Sequence, residues 1–263
     1  MTLDTPFENA GNLEKKRSKP YQALAPIYNY VMKHVDYKSW AKYIDAIIQK
    51  LQIDPGMILD VGCGSGEFIK EMVTLGYQMQ GCDPSPDMLV IAKSQNPDVH
   101  FWKDGLPDLE NTRQSDYQLI TCLYDTINYL TDLKAVEKSL NRLSEVLQNN
   151  GYVIFDVVSQ KFCQLYFDDA SEEEVINRHY AYSRESYFIR KTAQQINKFI
   201  IYSPAGIFEE IHVQKIFTFR NLKKMIEQRS PFLIEAVYDD FSFHPAGDNS
   251  DRAHFILKKV GND

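Results

Sequence analysis

Hydrophobic positions recur along the chain with two different periods. Between Tyr37 and Leu51, apolar side chains return every three or four residues, which is the spacing of one helix face. The sequence Asp54-Pro55-Gly56 follows and is typical of a helix end. We therefore predict an amphipathic helix before residue 54.

Five short apolar runs come next, and helical patterns separate them. The runs occupy residues 57–61, 77–82, 99–102, 117–123 and 152–158. The clearest intervening helices are predicted at 86–95 and 133–147. Alternating strands and helices are typical of βαβ units around a parallel sheet that is covered on both faces. The predicted fold class is therefore α/β, with a doubly wound, mostly parallel sheet.

The pattern changes after residue 159. The stretches 178–190, 192–202 and 207–217 resemble half-buried antiparallel strands, and a helix near 220–229 and strands near 232–241 and 252–259 follow them. We predict one main unit with an insertion. Its parts are a flexible tail at 1–19, a cofactor-binding core at 20–160 and 218–263, and an inserted β lid at 161–217 that faces the substrate.

One loop carries the strongest indication of chemistry. The sequence DVGCGSGE occupies residues 60–67, between a predicted strand and a helix. Glycines at such a turn let the main chain approach a ligand closely. A dinucleotide fingerprint needs a third glycine where this chain has Glu67, and that carboxylate would compete with a bound phosphate. S-adenosylmethionine (SAM) has no phosphate and carries a positive sulfonium, so the loop favours SAM over NAD.

Two further carboxylates follow predicted strands. Asp83 closes the second strand and can accept hydrogen bonds from both hydroxyls of a ribose. Its alternative role is to cap the next helix, for which Ser85 is the better candidate. Asp104 precedes Gly105 after the third strand and can accept from an adenine amino group, or simply form an Asp-Gly turn.

Residues 60–66, Gly81-Cys82-Asp83 and Asp104-Gly105 together resemble the SAM-binding motifs of class I methyltransferases, over roughly residues 20–160. The resemblance implies a seven-stranded sheet whose last strand is antiparallel. It also implies that Asp60 lies near the methionine amino group, that Gly62 and Gly64 line the SAM backbone, that Asp83 holds the ribose and that Asp104 holds the adenine.

A narrower resemblance is to the YqeM-like bacterial methyltransferases, which are similar to sugar-amine N-methyltransferases and glycine N-methyltransferase. The matching segments lie at 21–28, 36–40, 123–130 and 250–255, with Asp251 where the group usually has Glu. The resemblance implies an N-terminal helical lid and a β insertion. It also implies that Tyr21, Tyr28 and Trp40 approach SAM, although packing of these aromatics in the core is an equal alternative.

The candidate site residues fall into two sets. The cofactor-binding set is Tyr21, Tyr28, Trp40, Asp60, Gly62, Cys63, Gly64, Asp83, Pro84, Met88, Asp104, Gly105, Leu106, Leu123 and Tyr124. The substrate-binding set is Tyr124, Asn128 and Tyr129. No catalytic base is assigned, because an ordinary surface or strand position explains each of His179, His212 and His244 better than a catalytic role does.

Composition narrows the choice of partners. The net charge of −7 disfavours binding to nucleic acid, and residues 123–126 lack the Asn/Asp-Pro-Pro-aromatic motif of enzymes that methylate nucleobases. The basic residues between 15 and 19 are expected to be a solvated tail. The four cysteines stand singly, so we expect them to be reduced and mostly buried, with no metal site. Without a signal sequence or a long apolar run, a cytoplasmic protein that does not enter the membrane is expected.

The sequence therefore predicts a SAM-dependent methyltransferase that acts on N or O of a small molecule. The first alternative is a non-catalytic SAM-binding or protein-interaction module. The second, which Glu67 disfavours, is an NAD-dependent oxidoreductase. The aromatic residues of the insertion can line an acceptor pocket, pack on the sheet, or form the interface of a homodimer.

Overall fold

The computed structural model describes residues 14–113 and 117–260. The helices of four or more residues are α1 (Tyr28–Val31), α2 (Tyr37–Leu51), α3 (Glu67–Thr74), α4 (Pro86–Gln95), α5 (Leu133–Val146), α6 (Gln160–Tyr166) and α7 (Phe219–Arg229). The strands are β1 (Lys15–Arg17), β2 (Met57–Val61), β3 (Gln78–Asp83), β4 (His100–Lys103), β5 (Tyr117–Cys122), β6 (Leu147–Val158), β7 (Ala170–Val175), β8 (Ala181–Ile189), β9 (Gln194–Ser203), β10 (Gly206–Lys215), β11 (Phe232–Asp239) and β12 (Arg252–Lys259). Short 3₁₀ helices lie at Ala25–Ile27 and Thr126–Tyr129.

Seven strands form the main sheet, in the order β11-β12-β6-β5-β2-β3-β4. The five strands from β6 to β4 are parallel, whereas β12 is antiparallel to both of its neighbours. The predicted fold class is confirmed, including the antiparallel last strand. The carboxyl ends of β2, β3, β4 and β5 meet at one edge of the sheet, which is where ligands bind in folds of this kind.

Helices cover both faces of this sheet. Ile58 and Leu59 are adjacent in β2, and successive strand residues point to opposite faces. Ile58 packs in a hydrophobic cluster with residues of α2, α3 and α4, and Leu59 packs in another with residues of α5 and α7. Both side chains are fully buried, which explains why the strand has no polar positions at its centre.

A second sheet of five strands has the order β1-β10-β9-β8-β7. Strands β7 to β10 are antiparallel, and β8, β9 and β10 correspond to the three strands predicted from the pattern after residue 159. The inner face of this sheet packs against the N-terminal segment, where Leu24, Ile27 and Val31 meet Tyr182 and Phe199. The second sheet therefore holds the N-terminal segment in place.

One prediction of local structure was wrong, and two elements were missed. Residues 15–17, expected to be part of a loose tail, form β1, which pairs in parallel with residues 207–209. The helix α6 and the strand β7 were not predicted at all. Neither has a clear apolar pattern, since α6 is only 7 residues long and β7 carries three consecutive glutamates. The remainder of the predicted tail, residues 1–13, lies outside the described residues.

Two predictions about the whole chain can be compared with the structure. All four cysteines are buried and unpaired, as expected. Among the helices of the described ranges, none combines the length and the apolar character that crossing a membrane requires.

Candidate active site

A cavity of about 610 Å³ opens at the carboxyl edge of the main sheet. The loops after β2, β3, β4 and β5 form its floor, and the N-terminal segment around Tyr21 forms part of its wall. This volume lies within the range typical of sites for small molecules. The predicted residues that line it are Tyr21, Tyr28, Asp60, Gly62, Cys63, Gly64, Asp83, Pro84, Met88, Gly105, Leu106, Leu123, Tyr124 and Tyr129.

The glycine loop presents main chain to the cavity. Gly62 and Gly64 have φ angles of +78° and +54°, a left-handed conformation that favours glycine. A Cβ atom on Gly62 would lie 2.6 Å from Cγ2 of Thr126, so the loop after β5 also excludes a side chain there. The N–H groups of Gly62 and Cys63 donate to the carbonyl of Cys82 at 2.8 and 3.0 Å, which ties the loop to β3. The loop therefore cannot move away from the cavity without breaking these bonds.

Asp83 lies at the end of β3, beside this loop. Its carboxylate accepts the N–H of Gly64 at 2.9 Å and the N–H of Ser85 at 2.8 Å, one on each oxygen. Each oxygen keeps a second lone pair that can accept a ligand hydroxyl. The cap of helix α4 is Ser85, whose hydroxyl accepts from the N–H of Met88. Asp83 is therefore not needed to cap that helix.

Two buried carboxylates face the cavity without a cationic partner. Burial raises the pKa of Asp60 to about 7, although the hydroxyl of Thr121 donates to it at 2.7 Å. Burial also raises the pKa of Asp83 to about 6, against the effect of its two N–H donors. Among the causes that shift these two pKa values, no Lys, Arg or His contributes. A bound cation would stabilise both charged forms.

Sequence comparisons agree with a site for a cationic adenosine derivative. The family profile described as "Methyltransferase domain" matches residues 58–151. A putative methyltransferase of Geobacillus sp. is 26% identical over 250 residues, which cover 91% of this chain and 99% of the relative. The putative methyltransferase YqeM of Bacillus subtilis is 27% identical over 251 residues, which cover 91% and 97%. The chain is a class I SAM-dependent methyltransferase, similar to the YqeM-like group.

Solved structures show the same fold. A SAM-dependent methyltransferase from Clostridium acetobutylicum has a TM-score of 0.75 and 21% identity, and the match covers 92% of this chain and 99% of that one. The sugar N-methyltransferase KedS8 from Streptoalloteichus sp. has a TM-score of 0.71 and 16% identity, with 95% and 100% covered. These structures agree with the sequence comparisons, which identify SAM as the cofactor of this methyltransferase.

Tyrosines line the cavity together with the glycine loop. The hydroxyls of Tyr21 and Tyr129 lie 2.5 Å apart, and the edge of the Tyr28 ring meets the ring of Tyr21. Burial raises the pKa of Tyr21, Tyr28 and Tyr129 well above the usual value, so all three are neutral phenols at pH 7. The methyltransferase thus has hydrogen-bonding but uncharged groups among the residues that line the cavity.

Three predicted site residues of the methyltransferase do not line the cavity. Trp40 packs in the core, with ring centroids 5.6 Å from Tyr124 and 5.0 Å from Phe241, so the core-packing alternative is the one that the structure shows. Asn128 donates from Nδ2 to the carbonyl of Lys215 at 2.8 Å and is fully buried. This hydrogen bond joins the 3₁₀ helix after β5 to β10, and the Asn128 side chain does not line the cavity.

Asp104 is the third of these residues. Its Oδ1 accepts the N–H of Gly105 at 3.0 Å, and its Oδ2 accepts from the N–H of Asn111 at 2.9 Å and the hydroxyl of Thr112 at 2.6 Å. The carboxylate therefore braces its own turn, which was the alternative role. The neighbouring Gly105 and Leu106 do line the cavity.

Several lining residues were not predicted. They include Tyr37, Glu67, Ser85 and Thr126. Glu67 accepts from Nδ2 of Asn29 at 2.8 Å, so it links the N-terminal helices to the glycine loop. Tyr37 lies in the same matching segment as Trp40. The resemblance implied Trp40, whereas Tyr37 is the one of the two that lines the cavity.

Proposed function

We propose that this methyltransferase transfers the methyl group of SAM to a nitrogen or oxygen atom of a small-molecule acceptor bound in the cavity of about 610 Å³. The observation that carries this proposal is the combination of residues that line the cavity. Buried carboxylates and a glycine loop suit a cation, and neutral phenols can contact an uncharged polar acceptor. A cavity of this size suits small ligands, and the net charge of −7 disfavours a polyanionic acceptor.

Particular residues are expected to hold the cofactor. Gly62 and Gly64 leave room for SAM to approach the main chain, Asp60 attracts its ammonium group, and Asp83 accepts from its ribose hydroxyls. When bound, SAM supplies a methyl group on a positive sulfonium that leaves as a neutral thioether. The tyrosines then exclude water and align the acceptor, which supplies much of the acceleration in such displacements.

The inserted unit at 161–217 is proposed to cover the acceptor, together with the N-terminal segment. Two hydrogen bonds support this role. His212 of β10 contacts the hydroxyl of Tyr129 at 3.0 Å, and Gln214 of β10 donates to the carboxylate of Asp125, next to Tyr124. Both tyrosines line the cavity, so the second sheet braces the wall that the acceptor is expected to touch.

We also propose that two copies of the chain form a homodimer through the second sheet. Tyr187, Ile211 and Val213 are each about 40% exposed and lie on one face of the second sheet. Such an apolar patch suits contact with a second copy. Sedimentation velocity on the purified protein tests it, and a single monomeric species at high concentration would argue against it.

The first experiment is mass spectrometry of the purified protein for bound SAM or S-adenosylhomocysteine. The second incubates it with methyl-labelled SAM and a panel of small phenols, alcohols, hydroxy acids and amines, and measures S-adenosylhomocysteine against a blank without acceptor. We expect SAM to bind and at least one acceptor to be methylated. Binding without turnover of any acceptor would favour the non-catalytic alternative.

A further inference from the structure

Four side chains form one continuous series of hydrogen bonds from the cavity into the second sheet. The Tyr21 and Tyr129 hydroxyls are 2.5 Å apart, and the Tyr129 hydroxyl is 3.0 Å from Nδ1 of His212. Nε2 of His212 is 3.3 Å from Oε2 of Glu210. The two tyrosines line the cavity, whereas His212 is 3% exposed and Glu210 is completely buried. Only one end of this series can therefore reach a ligand.

Glu210 fixes the direction of the series. Its carboxylate accepts the main-chain N–H groups of Tyr21 at 2.8 Å, Gln22 at 3.1 Å and Leu24 at 2.9 Å, and also that of Ala23. A carboxylate only accepts, so Nε2 of His212 donates to it and Nδ1 is left as an acceptor. Tyr129 then donates to Nδ1, and Tyr21 donates to Tyr129. Every donor in the series then has an acceptor.

We propose that the series Tyr21–Tyr129–His212–Glu210 is a proton relay that removes a proton from the acceptor during methyl transfer. This inference rests on the proposed function. As the bond from the acceptor atom to the methyl group forms, the bond from that atom to hydrogen breaks, and its electron pair stays on the acceptor. The proton passes to Oη of Tyr21, the proton of Tyr21 moves to Tyr129, and the proton of Tyr129 moves to Nδ1 of His212. The resulting imidazolium faces the Glu210 carboxylate, and nothing is oxidised or reduced.

The surroundings of the relay suit tyrosines that pass the proton on and a histidine that accepts it. Burial raises the pKa of both tyrosines, so they conduct a proton and do not store a negative charge. The groups that face His212 are Glu210 on its own strand, Tyr21 from the N-terminal segment, Tyr129 from the 3₁₀ helix and the uncharged ring of Phe199 on β9. The base therefore has one negative neighbour, which stabilises its charged form.

The relay also narrows the class of acceptor. A nucleophile that already has a free lone pair and no proton to lose, such as a tertiary amine or a thioether, needs no base. A hydroxyl, a phenol or a protonated amine does. The geometry points to an acceptor of the second class, bound with its reacting atom near the Tyr21 and Tyr129 hydroxyls.

The first test needs no acceptor. Nitrogen-15 NMR of histidine-labelled full-length protein reports which ring nitrogen of His212 carries the proton, with the signal assigned by His212→Gln. We expect the Nε2-protonated form with Nδ1 hydrogen-bonded, and we expect Tyr129→Phe to shift the Nδ1 signal. The matched control is His244→Gln, at an exposed position, which leaves the His212 signals unchanged. A proton on Nδ1, or a permanent imidazolium, would overturn the relay.

The second test measures turnover of whichever compound in the acceptor panel reacts. His212→Gln and Tyr129→Phe are each expected to lower kcat by about 10²- to 10³-fold at pH 7. The Kd for SAM, measured by calorimetry, changes by less than about threefold. The loss in kcat shrinks at high pH, where the acceptor loses its proton to solvent, and His244→Gln keeps the wild-type profile. A purely structural role would instead give a loss that does not depend on pH.

The possible failures are distinct. If wild-type protein does not bind SAM, the proposed function fails. If SAM binds and both variants react at the wild-type rate, methyl transfer stands and the relay is wrong. If no compound in the panel reacts, the NMR result decides whether the hydrogen-bonded series exists with the required direction. Tyr129→Phe keeps the aromatic ring, so it separates loss of the hydroxyl from loss of folding.

Discussion

Asp83 is the residue whose role is easiest to isolate. The change Asp83→Asn keeps the size of the side chain but removes the charge and one acceptor oxygen next to the predicted ribose. We expect SAM binding to weaken by about 1–3 kcal/mol, or about 5- to 150-fold in Kd, because a buried hydrogen bond and a charge are lost. Isothermal calorimetry measures this, with the exposed Asp98→Asn as the matched control. An unchanged Kd would remove the ribose assignment.

The raised pKa values of Asp60 and Asp83 predict how binding depends on pH. These values are about 7 and about 6 before a cation binds. A cationic ligand favours the ionised forms, so binding releases protons below these values and the affinity for SAM rises with pH up to about 7. The rise is at most about tenfold per pH unit for each proton released. Calorimetry between pH 5.5 and 8 tests the slope, and Asp60→Asn should flatten it; a flat wild-type profile would contradict the prediction.

The raised pKa values of Asp60 and Asp83 make stability depend on pH in the opposite direction to SAM affinity. Because burial raises both pKa values above those of the unfolded chain, the folded protein without ligand binds more protons than the unfolded one. Its stability therefore falls as pH rises from about 4 to about 7 through these two groups. Bound SAM should reduce this loss, since it favours the charged carboxylates.

Single residues were predictable from the sequence where their role depends on local chain geometry. The glycines after β2 and the carboxylate at the end of β3 belong to this class. Trp40, Asp104 and Asn128 do not, because the sequence near each of them does not reveal which partner will bury it. His212 was one of three equal candidates, and only the fold brings it to Tyr129, which is 83 positions away.

At the scale of elements, a helix or strand could be predicted from the sequence only where its apolar residues recur with a regular period. Helix α2 begins and ends at the predicted residues because its buried face repeats every three or four positions. Strand β7 has alternating burial, but its more buried positions hold Ala170, Glu172 and Glu174, so no apolar pattern marks it. Strand β1 is exposed at all three positions and exists only because β10 offers it a partner.

Glu210 joins two of these elements, the strand β10 and the N-terminal segment. The change Glu210→Ala leaves four main-chain N–H groups without their acceptor, so we expect the free energy of unfolding to fall by about 3 kcal/mol or more. Glu210→Gln keeps one acceptor oxygen and should cost about 1 kcal/mol. Urea unfolding measures both changes.

The matched control for these variants is Glu185→Ala on β8, where an ion pair with Lys198 is largely exposed. Its effect should stay within about 0.5 kcal/mol. Hydrogen exchange adds a local readout, since residues 18–28 should exchange faster in Glu210→Ala. Equal stability of Glu210→Ala and the control would mean that Glu210 does not anchor the segment.

At the scale of the molecule, the seven-stranded, mostly parallel sheet with its antiparallel last strand followed from the resemblance and the alternation of elements. How the second sheet sits against the N-terminal segment did not, because that contact joins the start of the chain to residues near 210. The predicted boundaries of the insertion therefore stay a proposal about folding units. The cavity depends on both parts of the chain.

A cofactor bound in this cavity should stabilise the whole protein. SAM at about 100 times its Kd contributes about 2.7 kcal/mol, which raises Tm by about 5–10 °C for a chain of this size. Differential scanning calorimetry measures the shift, and NADH at the same concentration serves as the control. A shift with NADH and none with SAM would reverse the choice between the two cofactor classes made on the glycine loop.

The hydrogen bonds from residues 21–24 to Glu210 determine when the N-terminal segment can become fixed during synthesis. Residues 21–24 leave the ribosome long before they can be fixed, because their anchor is made nearly two hundred residues later. Until β10 has been translated, the strands that carry the glycine loop and Asp83 stand without the wall that holds Tyr21. A nascent chain stalled before residue 210 would thus present an open, half-built cleft to the cytosol.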